Sequence, residues 1–424
     1  MAGFLERIRV QDKFYLPLTT LFFFILGSQI LVNHWLIFIL FSIFLIDLRR
    51  IKSVETYILL FFLFSLFASH LYIHSHYGVY GNEDTLRGIV NELLMILVVY
   101  LLGLSLRGEA GKIPDDRRLT YLLFSFFIGY TLAVIYSYFA FPVENSSIGK
   151  YGMHLYYTAV ESAKHIHHSN RLLAPTIVAY GLTMMVLIIP FILFDSKALK
   201  RSGFKIIEIL FWLLVALSAL YFATLMGRRI TIFLLLFIVV IFGIKTFWQS
   251  DQKAKIRISL WSLALLALLA VTLYTFRNDI SLFERIQHEG LGDSSRVLLW
   301  KQGWHYMIEY PWGGAGFKLI HAINGRPHFY GHDAWLDIGK RFGVIPAALM
   351  VLFWLLHLRY LFRIVKNSQV SQYMKSIILV LSMAFFANWF VEPIPLSSRS
   401  FFFVTIFFLG FLKAYSDLAA NEAQ

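Results

Sequence analysis

The side chains best suited to handling phosphates and hydroxyls gather in one stretch of this sequence. Arg296 to Pro346 holds arginines, histidines, carboxylates, four tryptophans (Trp300, Trp304, Trp312 and Trp335) and a Pro-Trp-Gly-Gly-Ala-Gly turn beginning at Pro311. The chain on either side is mostly Phe, Leu, Ile and Val. His332 stands beside Asp333, shortly before Gly343, where a long apolar run begins. An imidazole with a pKa near ~6.5 suits proton transfer near neutrality. A loop histidine is ordinarily just that; His332 is raised by Asp333 beside it and Arg296 upstream. A planar guanidinium such as that of Arg296 can grip a phosphate through paired N–H bonds.

Cationic pairs elsewhere invite the same reading. Arg228 and Arg229 open another apolar run. A single arginine there reads as a snorkelling anchor. A pair at a helix N-terminus reads as an anion contact, because free N–H groups and the helix dipole already favour negative charge. Arg171 closes a His-rich segment containing His165 and His168. Those histidines could share a helical face, but no acidic pair stands nearby to complete a metal site. A polar loop touching sugar or phosphate is expected instead, with Arg171 as its phosphate contact. Glu392 and Arg399 flank the last polar loop. Glu392 either orients His332 or an arginine, or pairs with Arg399. Glu92, inside an apolar run, is costly there and marks a site to explain. The glycines after Pro311 suit a phosphate cradle or a tight turn.

These residues need a scaffold, and composition defines it. The chain has 424 residues, of which 58% are hydrophobic and only 15% charged. Soluble domains carry about 25% charged residues, so the composition points to an all-α integral membrane protein. Runs long enough to cross a bilayer fall at about 15–32, 34–48, 54–73, 88–106, 120–141, 172–194, 205–225, 230–247, 258–276, 343–362, 374–391 and 400–416. About twelve transmembrane helices in a single multispan domain, 1–424, are therefore expected. Val297, Trp300, Trp304 and Met307 have the spacing of one helical face, as in a helix lying on a membrane. The opening segment, alternating Phe4, Leu5, Ile8 and Val10 with charges, suits a short interfacial helix. There is no cysteine, which removes disulfides and thiolate metal sites.

The inter-span loops alternate in charge. One set carries Arg49, Arg50 and Lys52, then clusters near 107–118, 197–205, 253–257 and 359–375. By the positive-inside rule these loops are cytoplasmic. Both termini are then inside, and 277–342, between the ninth and tenth spans, becomes a large outward-facing loop containing short helices. The net charge of +13 partly reflects this topology and otherwise suits anionic partners rather than nucleic acid. A transporter would place ionisable groups near the bilayer midplane; here they sit at outer helix ends.

In these motifs the chain resembles the O-antigen ligase and polymerase superfamily of bacterial envelope glycosyltransferases. An arginine-bearing turn precedes a late helix (Arg228, Arg229). A large loop opens with an arginine and passes through P-x-x-G-x-G (Pro311, Gly314, Gly316). A ligase-like pattern, H-[N/S/Q]-x9-G-x-x-[G/T/Y], closes the loop at His332, Asp333, Gly343 and Pro346. Asp333 and Pro346 depart from that pattern, and Asp333 thereby becomes a second candidate for the proton. The resemblance covers about 210–400. It implies a GT-C type fold in the bacterial inner membrane with the active site facing the periplasm. It further implies an undecaprenyl-pyrophosphate-linked glycan as donor and a lipid A-core as acceptor, with membrane lipids around the protein. His332 would be the base, and Arg229 with Arg296 would neutralise the leaving pyrophosphate. Arg228, Arg171, Arg399, Asp333 and Glu392 would bind or support substrate. No metal or other cofactor is called for, since arginines carry the charge. A polymerase joining carrier-linked repeat units is the alternative within the same superfamily.

Overall fold

In a computed structural model of the chain, the residues described are 12–28, 35–78, 86–107, 113–140, 148–149, 152–153, 155–156, 172–173, 175–187, 205–225, 252, 294–315, 318–321, 327–328, 331, 333–391 and 399–421. They form mostly helices. Before the site come α1 (Asp12–Ser28), α2 (Trp35–Ile43), α3 (Val54–Tyr77), α4 (Leu86–Leu104), α5 (Asp116–Ala140), α6 (Pro175–Val186) and α7 (Lys205–Leu225). Then follow α8 (Ser294–Glu309), α9 (Ala334–Phe342), α10 (Val344–Lys366), α11 (Gln372–Val391) and α12 (Arg399–Asn421). Both α8 and α9 fall in the segment expected to be the large loop.

Among the described residues, six helices are long and apolar enough to cross a membrane: α3, α4, α5, α10, α11 and α12. The apolar stretches in α1, α6 and α7 are shorter. The protein is a multi-pass membrane protein. Two expected spans, 230–247 and 258–276, lie outside the described residues, as does the amphipathic opening at 1–11. A described helix lies on each of the other expected spans.

Local chemistry accounts for the helix limits. Ser53 caps α3 by accepting from the Thr56 amide at 3.2 Å, and Gly78 ends it in the left-handed region at φ +72°. Within α3, Leu59, Phe62 and Leu66 are buried while Phe61 and Phe64 are largely exposed. Apolar residues on all sides suit a helix with protein on one face and lipid on the other.

The chain divides into two compact units. One comprises 1–26, 31–126 and 293–424, and contains α1 to α4, the start of α5, and α8 to α12. Its central element is α12, buried over 89% of its apolar window. α12 packs along α4 so closely that a Cβ on Gly103 would lie 2.3 Å from the Phe407 carbonyl oxygen, and one on Gly410 2.4 Å from that of Tyr100. Glycine on both helices is what lets the two backbones meet. The other unit comprises 27–30 and 127–292. It contains α6 packed on α7 and two short antiparallel ladders, with Ile148 opposite Met153 and Leu155 opposite Leu173.

Candidate functional site

The motif-bearing part of the first unit is a backbone clasp. α8 ends before Pro311, and the chain reverses through Gly313 (φ +100°) and Gly314 (φ +102°). The Gly314 amide donates to the Arg341 carbonyl at 2.9 Å, and the Val344 amide donates to the Pro311 carbonyl at 2.9 Å. Two sequence motifs thus hold each other by main-chain hydrogen bonds. Gly343 sits at the crossing with φ +96°, and a Cβ there would be 2.3 Å from the Pro311 oxygen. The Ser69 hydroxyl of α3 lies against the Trp312 carbonyl at 3.0 Å and also bonds the Phe342 carbonyl. The amides of Gly313 and Gly314 are committed to Tyr310 and Arg341, so these glycines make a packing turn here.

α9 is held from several sides. Asp333 caps it, Oδ1 accepting from the Trp335 and Leu336 amides at 3.0 and 3.1 Å. Buried Asp337 accepts from the Gly331 amide at 2.6 Å through Oδ1 and from the Asp333 amide at 3.3 Å through Oδ2. One carboxylate therefore clamps both residues that flank position 332. The Lys340 ammonium donates to the Lys318 carbonyl at 2.6 Å. The Gln302 side-chain amide donates to the His321 carbonyl and accepts from the His321 amide, both at 2.8 Å, tying α8 to the strand Ile320–His321. Trp335 anchors α9 in the bundle, its ring 4.7 Å from Trp389 and 5.9 Å from Trp354.

Burial sets the charge states. The Asp333 carboxyl is pushed up to about 6 by desolvation, against the pull of the Leu336 and Trp335 amides. The Lys340 ammonium is pushed down to about 8, again by desolvation, with Asp337 opposing the shift.

α8 packs on α9. Its buried side is Leu299, Gly303 and Met307, while Val297 and Trp304 are exposed. Met307 thus leaves the face expected from its spacing and packs on Gly339, because a glycine there opens a slot for its sulfur. Gly331 completes the contact: a Cβ on it would lie 3.8 Å from the Leu299 carbonyl and 3.4 Å from Asp337 Oδ1. The residue just before position 332 therefore lies beside the helical turn that begins at half-buried Arg296.

Arg399 opens α12, and its Nε is 3.3 Å from Glu92 Oε2 on α4. This supplies the partner that makes Glu92 tolerable in an apolar helix. A cavity of about 30 Å³ beside the pair is lined by Glu92, His70, Ile338, Phe342 and Phe402, among others. His332, Arg171, Arg228, Arg229 and Glu392, with the His165–His168 segment, lie outside the described residues.

Residues 212–351 match the family model described as O-antigen ligase. The segment belongs to the O-antigen ligase superfamily. It runs from within α7 to within α10 and takes in Arg228, Arg229, Arg296, the Pro311 turn, His332 and Gly343. No curated protein matches the chain. The motifs of the matched segment do not single out Asp337, Trp335 or Lys340. Their signal was present: a carboxylate and an ammonium three residues apart in a nine-residue helix, too polar to be buried without assigned partners. Ser69, Trp354 and Trp389 fall outside the motifs and carried no such signal.

Proposed function

We propose that the protein is an O-antigen ligase, an inverting glycosyltransferase that moves a glycan from undecaprenyl pyrophosphate to a sugar hydroxyl of lipid A-core. The observation that carries the reading is the family match together with the clamp on both neighbours of position 332. A base acting on an acceptor hydroxyl must be held within hydrogen-bond reach of it, and a rigid backbone on either side is what such precision requires. His332 takes the proton from the acceptor hydroxyl as its oxygen attacks the anomeric carbon. The bond to the pyrophosphate breaks on the opposite face, so configuration inverts. Arg229 and Arg296 stabilise the leaving pyrophosphate, work for which fixed positive charge serves better than an acid and needs no metal. Arg228, Arg171 and Arg399 add charge around the donor, Asp333 and Glu392 support the base, and the site faces the periplasm of the inner membrane.

The test supplies the purified protein with carrier-linked glycan and lipid A-core. The expected result is glycosylated core with the wild type and a loss of about 10²–10⁴-fold with His332→Ala. Longer carrier-linked chains with unmodified core would assign a polymerase instead, and near-wild-type transfer by His332→Ala would remove that residue from the mechanism.

A further inference from the structure

At the end of α10 farthest from the clasp, Arg359, Arg363 and Lys366 recur at spacings of four and three, so they share one face of the helix. With Leu355, Leu358 and Phe362 they line an open groove of about 490 Å³. Among the described residues, no acidic side chain lines it. Leu355 and Phe362 are 58% and 62% exposed, an arrangement that costs free energy in water and none against an acyl chain.

The cations are arranged rather than scattered. The Arg359 Nη2 donates to Glu55 Oε1 at 3.2 Å and to the Tyr360 hydroxyl at 3.1 Å, while half of its side chain stays exposed. The Tyr360 ring carries Arg359, Arg363 and Lys413 at 5.1, 5.6 and 5.0 Å. The two carboxylates nearby, Glu55 and Asp417, both face Lys413, at 3.9 and 3.1 Å. Among the described residues, four cations against two carboxylates leave an excess of two positive charges, and it lies on the groove side. Arg359 to Lys366 spans about 10 Å of helix at ~1.5 Å per residue, a depth over which long basic side chains reach a headgroup layer.

We propose that this groove binds an anionic phospholipid, its phosphate held by Arg359, Arg363 and Lys366 and an acyl chain lying along Leu355, Leu358 and Phe362. Paired arginine N–H groups favour phosphate over a zwitterionic headgroup whose own ammonium is repelled. The site is independent of the glycosyl-transfer reading.

Native mass spectrometry of the detergent-purified full chain, titrated with phosphatidylglycerol or chain-matched phosphatidylcholine, tests it. The wild type should retain phosphatidylglycerol at least about tenfold better, and the Arg363→Gln/Lys366→Gln double variant should lose most of that preference. Arg359 is left intact because it bonds Glu55. A second variant, Phe362→Ala, keeps every cation and should bind short-chain and long-chain phosphatidylglycerol more equally than the wild type does. Equal retention of the two lipids by the wild type, or an unchanged preference in the double variant, overturns the proposal. Displacement of the lipid by millimolar inorganic phosphate would also overturn it, in favour of a free-anion site.

Discussion

Gly343→Ala tests whether the clasp is what joins the two motifs. At φ +96° and ψ 175° the backbone occupies a region that is essentially glycine's alone, at a cost of about 1–3 kcal/mol for another residue. The added methyl would also sit 2.3 Å from the Pro311 oxygen and 2.9 Å from the Trp312 carbonyl carbon. Both are main-chain atoms, the Pro311 carbonyl held by the Val344 amide and the Trp312 carbonyl by the Ser69 hydroxyl, so neither can swing aside as a flexible side chain would. Overpacking of that kind costs about 1–3 kcal/mol more. A total of roughly 2–6 kcal/mol corresponds, for a chain of this length, to a fall in thermal midpoint of about 2–7 °C. The matched control is Gly303→Ala in α8, where the nearest atom to the new methyl is Leu336 Cβ at 3.8 Å. There the gain in helix propensity, up to about 1 kcal/mol, should dominate. Thermal unfolding of both variants in the same detergent, followed by tryptophan fluorescence, decides the matter. A Gly343→Ala midpoint equal to the wild type's would mean the clasp does not stabilise this end of the molecule.

The Asp333 cap should make stability depend on pH. Its folded value near 6 lies above the ordinary 3.8, so the cost of burying the charge is absent below 3.8, grows between 3.8 and 6, and is complete above 6. Asp333→Asn keeps the cap acceptor and removes the charge. It should therefore be more stable than the wild type above pH 6, by at most roughly 3 kcal/mol, with the gap closing as pH falls toward 4; a constant gap in denaturation from pH 4 to 8 would refute this. Arg229→Lys and Arg296→Lys should insert normally yet transfer glycan at least about ten times more slowly in single turnover, because lysine keeps the charge and loses the fork. Full activity in both would mean that the pyrophosphate is neutralised elsewhere. Cysteines introduced at Ser294 or Gly325 should react with an impermeant thiol reagent from the periplasmic side, and those at Ser202 or Ser250 should not; the reverse pattern would invert the topology.

Helices were legible because their cause is local. A run of twenty apolar residues has few alternatives to a helix in lipid, so α3, α4, α5, α10, α11 and α12 could be read from composition. The clasp was half legible. Pro311, Gly314 and Gly343 stand out as motif residues, but whether a glycine cradles a phosphate or a backbone depends on which carbonyl reaches its amide. That carbonyl belongs to Arg341, a residue no spacing rule connects to Gly314. The Glu92–Arg399 pair was illegible for the same reason, its members lying on α4 and α12.

The misplacement of Met307 shows what spacing leaves out. Val297, Trp300, Trp304 and Met307 fit one stripe, yet the stripe that packs is Leu299, Gly303 and Met307. The two differ in which partner offers room, and Gly339 on α9 offers it to the methionine. Once Met307 and Gly339 interlock, α8 and α9 have a fixed register. That register brings Leu299, one turn beyond Arg296, to Gly331, whose amide Asp337 already holds. The proposed base and the proposed phosphate ligand are thus linked by packing at two glycines rather than by any contact between charged groups. Activity should accordingly be as sensitive to Gly339→Ala, which places a methyl 2.1 Å from the Met307 sulfur, as to the loss of a charge, and Met307→Ala in the same chain should restore part of it by reopening the slot.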